Sequence, residues 1–321
     1  MRLNQISGSD ELSRMVVSEV MRYAPVLNYL HFFTKSGIAT IERKAADSTA
    51  EFQVRAFNND FASKVTAAVE YATLALKIYG RDLRVDIAYE ETGSDIPSEF
   101  KRQLLRFGRA LGGSFNDILI NSNATGTIDQ TRIVGLKRQV DEIMTSVPTQ
   151  DKIFGGANGN AVPAGNSDSA KKAQQEFVEA LLELTTRIDG GADCILMNGR
   201  LLARLTTIAK ELCDTQLNEF GVPITFFNRI PVIDAGYNQS GGEVLPFTET
   251  VGTSTNANTS VYAFKSGEAS DVTLFTSQNG LKVYPMARHG NSFYETRVEF
   301  LFDLAVLNPR SVARLRGIRL A

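Results

Sequence analysis

The sequence predicts an α+β fold, and three observations carry that prediction. Apolar residues recur at helical spacing from about Pro97 to Ile120 and again over 170–188. Period-two alternation marks residues 38–57 and the run 293–307. A short apolar strand, Cys194-Ile195-Leu196-Met197, stands between two helical segments, so the second half mixes both kinds of element.

Composition sets the bounds. The chain has 321 residues, 43 % hydrophobic and 22 % charged, enough apolar material for a sizeable core and a length that suggests two ordinary domains. The formal net charge is -2, which lacks the basic excess of a dedicated nucleic-acid binder. Cys194 and Cys213 stand alone without a CxxC pair, as free thiols in a reducing cytosol do; a disulfide scaffold or structural zinc site needs more. Met1 to Val17 carries polar and charged residues where a signal peptide needs an apolar core, and no stretch has the length and apolarity of a membrane span. The expectation is a protein made and assembled in the cytoplasm.

The elements follow in order. Residues 1–34 read as an arm: Asp10-Glu11 opens a short helix through Val16, Val17, Val20 and Met21, which Pro25 ends. The run from Val26 through Phe32 and Phe33 is apolar enough to need cover from its own domain or a neighbouring subunit. Residues 38–57 read as a strand, Asn58-Asn59-Asp60 before Phe61 as a turn, and the chain then returns as a second extended run. Leu74, Leu76 and Ile78 alternate on even positions and Leu83, Val85 and Ile87 on odd ones, which places a turn or bulge at Gly80. The long helix has the stripe Phe100, Leu104, Leu111, Phe115 and Leu119, with Pro97 in its first turn. Gly112-Gly113 inside it costs about 1 kcal/mol per glycine relative to alanine, which a bend or a closely packed backbone would explain. A short helix or strand covers 132–146.

Residues 151–169, rich in Gly, Asn, Ala and Ser, read as a loop and domain boundary. The helix over 170–188 has the stripe Phe177, Leu181, Leu184 and Ile188 and stops at Asp189-Gly190-Gly191. Asn198 caps the next helix, with Leu201, Leu202, Leu205, Ile208 and Leu212 inward. Residues 238–260 read as a polar loop, followed by strands near 261–265, 272–276, 281–286 and 293–307.

Signs of catalytic chemistry are weak. Gly155-Gly156-Ala157-Asn158-Gly159-Asn160 lacks the Lys-Ser/Thr and the glycine spacing of a phosphate loop. His31 lies among apolar residues and His289 in a turn, neither with metal-ligand spacing. Glu90-Glu91 reads as solvated, and Glu295, Arg297 and Glu299 read as the charged face of a strand whose other face carries Tyr294, Val298, Phe300 and Phe302. No catalytic, cofactor or metal residue is assigned. Arg310, Arg314, Arg316 and Arg319, interleaved with Val312, Leu315, Ile318 and Leu320, allow two readings: contact with nucleic acid or an acidic neighbour, or a solvated edge.

The ordered set of segments resembles the tailed-bacteriophage major capsid protein of the Hong Kong 97-type fold. Val85-Asp86-Ile87-Ala88-Tyr89 before Ile96-Pro97 is similar to the lead-in of that family's spine helix. Ile133-Val134-Gly135-Leu136 resembles the segment after it, and Gly191 through Arg200 an axial-domain strand and helix. Phe220-Gly221-Val222-Pro223 with Ile230-Pro231-Val232-Ile233-Asp234 resembles the hairpin that follows. The resemblance implies an N-terminal arm over 1–36, an extended two-stranded loop over 37–80, and a peripheral domain over 81–147 and 288–321 with its spine helix at 97–120. A mixed α/β axial domain takes 148–287.

The resemblance also implies a structural subunit and no enzyme: a shell protein that self-assembles through hexamers and pentamers into the icosahedral head enclosing phage DNA. Implied partners are a portal, a separate scaffolding protein or assembly without one (Met1 begins almost at the arm), a possible decoration protein, and packaged double-stranded DNA held by weak non-specific contact. No membrane and no cofactor is implied. The location implied is the virion, after assembly in the host cytoplasm. Candidate contacts between subunits are Phe32, Phe33, Asn58, Asn59, Asp60, Phe61, Arg314 and Arg316. Lys44 and Lys64 lie in or near the extended loop, but the residues for covalent cross-linking are not matched. The alternative of the same fold is an encapsulin-type nanocompartment shell around a cargo enzyme; an α/β hydrolase or transferase is the alternative of another class.

Overall fold

The computed structural model describes residues 2–6, 11–34, 38–44, 57, 69–91, 95–122, 132–143, 147–238 and 240–321. Two short helices open the chain, α1 (Leu3–Ile6) and α2 (Glu11–Tyr23), and a 3-10 turn at Pro25–Asn28 ends the second as expected. Strand β1 (His31–Thr34) follows, then β2 (Ile38–Lys44) and β3 (Val69–Ala75), which pair antiparallel with each other and, among the described residues, join no other strand. Next come β4 (Lys77–Asp86), α3 (Ala88–Glu91), the long helix α4 (Ile96–Asn121) and α5 (Leu136–Ile143).

The middle of the chain supplies β5 (Asp151–Ile153), β6 (Asn160–Val162), α6 (Asp168–Thr186), β7 (Cys194–Met197), α7 (Gly199–Ile208) and the strands β8 (Cys213–Leu217), β9 (Pro223–Phe227) and β10 (Ile230–Asp234). It ends with β11 (Glu249–Val251) and β12 (Ser254–Phe264). The last elements are β13 (Val272–Val283), β14 (Ala287–His289), β15 (Phe293–Val306) and β16 (Val312–Leu320).

These strands make two large sheets. A five-stranded sheet has the order β1-β13-β15-β14, with β4 also on β15. A nine-stranded sheet has the order β5-β16-β12-β7-β10-β9-β8, with β6 alongside β16 and β11 alongside β12. One apolar core joins α2, α4 and α5 to the five-stranded sheet; a second packs α6 and α7 on the nine-stranded one. Both predicted helical stripes are inward: Phe115 and Leu119 in α4, and Phe177, Leu181 and Leu184 in α6, are at most 1 % exposed. Segment 288–321 divides between the sheets, since β15 pairs with β13 and β16 with β12.

Several expectations need correction. Gly80 is neither a turn nor a change of parity: β4 pairs with β15 without a break from Lys77↔Phe302 to Asp86↔Phe293. Lys77, Leu83 and Val85 are buried with one parity on either side of Gly80, and Ile78 of the other parity is 65 % exposed. What Gly80 provides is room, because a Cβ there would run into the Val298 carbonyl oxygen. The predicted loop 151–169 contains β5 and β6, strands too short to leave a pattern. The predicted loop 238–260 contains β11 and much of β12, where Asn258, Thr259 and Ser260 are at most 1 % exposed. Their polar groups are satisfied inside: the Asn258 amide donates to the carbonyls of Glu249 and Ser254, Thr259 to that of Leu245, and Ser260 to the Glu249 carboxylate. Loop-like composition here is a hydrogen-bonded hairpin whose polar residues 258–260 are buried. The two strands expected at 272–276 and 281–286 are one, β13, with a register shift between Thr276 and Leu281. Leu212 lies beyond the end of α7 and is 40 % exposed. Of the expected strand 38–57 and turn 58–60, only 38–44 and residue 57 lie within the described residues.

Candidate assembly surface

The N-terminal segment is fastened to the chain's own body. Helix α2 lies along α4 at two glycines: a Cβ on Gly108 would be 3.2 Å from Glu19 Cβ, and one on Gly112 would be 2.7 Å from Tyr23 Cβ. Arg109 Nε donates to Glu19 Oε1 at 2.6 Å across the same contact. The Val283 amide donates to Ser13 Oγ at 3.1 Å, and β1 runs parallel to β13. The apolar run after Pro25 is therefore covered by its own domain, with Leu27 and Phe32 fully buried.

Among the candidate contact residues, Phe32 packs in that core, its ring 6.4 Å from Phe300, and Phe33 is half-buried edge-on to Phe275 at 5.8 Å. Asn58, Asn59, Asp60 and Phe61 lie outside the described residues; beside them Phe57 is 96 % exposed. Arg314 and Arg316 are on β16, which is flanked by β12 on one side and by β5 and β6 on the other, so this is no solvated edge. Arg314 is 6 % exposed and meets Asp141 at 2.7 Å and Asp151 at 3.0 Å, while Arg316 pairs with the other oxygen of Asp151 at 2.7 Å. Burial opposes the Arg314 charge, yet the hydrogen bond to Asp151 and the surrounding charges hold its pKa above the ordinary value.

Helix α5 ties the two sheets together. On one side Gln139 exchanges hydrogen bonds with β15, donating to the Leu304 carbonyl at 3.0 Å and accepting from the Val306 amide at 2.9 Å. On the other side Asp141 reaches Arg314 of β16, and Lys137 reaches Glu249 of β11 at 3.4 Å. A second junction sits where β3 turns into β4. Lys77 donates to the Ala75 carbonyl at 2.7 Å and lies 3.8 Å from Asp303, both side chains being buried. Burial pushes the Asp303 carboxyl up to about 6 despite Lys77.

The outer face of β15 is charged as expected, with Arg84 on Glu295 at 3.1 Å and Arg297 on Asp82 at 2.7 Å. His31 is in β1; His289 is exposed in β14, its ring stacked 5.5 Å from Phe293. Residues 155–159 form a turn closed by the Gly159 amide on the Gly156 carbonyl at 3.0 Å, and Asn160 begins β6. Cys194 is buried in β7 and Cys213 begins β8, with β10 and β9 between their strands. Among the described residues no group of three or more His, Cys, Asp or Glu could hold a metal ion. No helix among them is long and apolar enough to cross a membrane.

No protein-family model matches the chain, and no curated protein matches it. Solved structures do. The holo-SrpI encapsulin complex from Synechococcus elongatus PCC 7942 is similar at a TM-score of 0.59 and 16% identity, over 98% of this chain and 94% of that one. The satellite phage P4 procapsid including size determination (Sid) protein matches at a TM-score of 0.51 and 8% identity, over 95% and 99%. The capsid of the empty GTA particle matches at 0.52 and 12% identity, over 92% and 90%. The α+β fold of this chain is thus the fold found in capsids and an encapsulin, end to end.

Proposed function

We propose that this chain is a shell-building major capsid protein of a tailed bacteriophage, self-assembling through hexamers and pentamers into the icosahedral head that encloses its DNA. The observation that carries the reading is the match to the phage P4 procapsid over 95% of this chain and 99% of that one. In this reading residues 1–36 are the arm, 37–80 the extended loop with β2 and β3, and α4 the spine helix. The expected bounds are 81–147 and 288–321 for a peripheral part and 148–287 for an axial part. The strand pairing supports giving β13 and β15 to the peripheral part and β16 to the axial part.

Such a shell is held by repeated head-to-tail contacts, each weak alone and lost only together. Exposed Phe57 and half-buried Phe33, with Asn58 to Phe61 and Arg316, are the proposed contacts between subunits. Portal, scaffolding and decoration proteins are the proposed partners, the virion the proposed location, and the role is structural rather than catalytic.

A second reading, a nanocompartment shell, has the encapsulin match at a TM-score of 0.59 in its favour. Negative-stain electron microscopy of the purified protein tests both. Closed shells, capsomer rings or tubes are expected, with nucleic acid inside for a phage head and a protein cargo inside for a compartment. A uniform small oligomer, even beside its neighbouring gene products, would overturn the shell reading.

A further inference from the structure

The cations of this chain are unevenly placed. From residue 97 to 113, the exposed side chains of α4 are Pro97, Ser98, Lys101, Arg102, Arg106, Arg109 and Ala110, four of them basic and none acidic. Helix α2, packed alongside through Gly108 and Gly112, adds exposed Arg14 and Arg22. The carboxylates of the two helices are Glu11, Glu19, Glu99 and Asp117, so six cations face four anions on this pair while the whole chain has a net charge of -2. Glu19 and Glu99 are committed to Arg109 and Arg102. Arg14, Arg22, Lys101 and Arg106 make no ion pair among the described residues.

Arg102 and Arg106, four apart, repel each other on an isolated helix by a few tenths of a kcal/mol, roughly 0.2–0.5. A face that accumulates such pairs in an acidic protein suits a polyanion. Its shape narrows the choice. The stripe from Lys101 to Arg109 runs along a helix for about 12 Å, a length over which duplex DNA presents roughly seven charges. Single-stranded nucleic acid calls for several aromatic platforms, and Tyr23 is the exposed aromatic of these two helices.

We infer that the α2–α4 face is the surface that meets enclosed double-stranded DNA, through phosphates and without sequence preference. This rests on the shell reading and adds which side of the subunit is inward. It also moves the nucleic-acid contact away from the C-terminal arginines, of which buried Arg314 and half-buried Arg316 are paired within the chain.

The test uses the unassembled full chain and a short DNA duplex, titrated by fluorescence anisotropy at several salt concentrations. Lys101→Gln with Arg106→Gln is expected to weaken binding about ten-fold or more at low salt. The slope of log affinity on log salt should fall by about 2, since each phosphate contact contributes about 0.9. Lys171→Gln with Lys172→Gln, exposed on α6, serves as the charge-matched control and should stay within two-fold. Equal loss in both pairs, no duplex binding by the unaltered chain, or tighter binding of polyglutamate than of duplex would each overturn the inference, the last in favour of an acidic protein partner. Microscopy of the same samples keeps the two proposals apart. Shells that form on assembly while the duplex result fails leave the shell reading standing and overturn this inference, whereas binding without any shells overturns the shell reading and with it the inward assignment of this face.

Discussion

At Gly112 a β-carbon would sit 2.7 Å from Tyr23 Cβ and 2.8 Å from the Val20 carbonyl oxygen, whereas at Gly113 it would meet nothing within 4 Å. The two neighbours therefore separate packing from helix propensity. Gly112→Ala is expected to lower stability by about 1–3 kcal/mol because α2 must move away from α4. Gly113→Ala should raise it by up to about 1 kcal/mol, as replacing a helical glycine does. Urea unfolding of both variants checks the contrast; equal effects would mean that the contact does not decide stability. Asp303 gives a second test at this scale. Its carboxyl is held near 6 by burial, above the ordinary 3.8, so the folded chain binds a proton more tightly than the unfolded one. The resulting stabilisation is fully present below 3.8 and is lost as pH rises through about 6. Asp303→Asn cannot titrate and should remove that slope. Melting temperatures of the two proteins across this range should diverge with pH; a constant difference would rule the mechanism out.

At the scale of elements, α5 and β16 show what the sequence could and could not reveal. The stripes of α4 and α6 and the apolar strand β7 were legible because their signals are local and periodic. Arg314 was not. Among apolar neighbours it looks like one of a row of exposed cations, while its partners Asp141 and Asp151 stand 173 and 163 residues away and meet it only on folding. Asn258 to Ser260 failed for a related reason: buried polar residues with full hydrogen bonding have the composition of a loop. The basic stripe on α4 was present in the sequence but was masked by a whole-chain charge near zero. The Arg314 network also yields a prediction. Asp151→Ala would leave two guanidinium groups short of their shared partner, one of them buried, and should cost about 3–5 kcal/mol. Calorimetry of the purified protein reads this directly, and a loss well under that range would show that water replaces the carboxylate.

For the molecule as a whole, the order of the strands in space differs from their order in the chain. The five-stranded sheet receives β15 between β13 and β4, and the nine-stranded sheet receives β16 between β12 and β5. Each sheet thus waits for a strand made after all its other strands. At a synthesis rate of about 5–20 residues per second, β4 stands roughly 10–40 s without its partner. Arg81, Asp82 and Arg84 along that strand guard its open edge against pairing with other nascent chains. A chain cut short by stalled translation lacks β16 and has a divided nine-stranded sheet. Ribosomal errors of length are in this way filtered by the topology itself: only a polypeptide read through both β15 and β16 completes the two sheets.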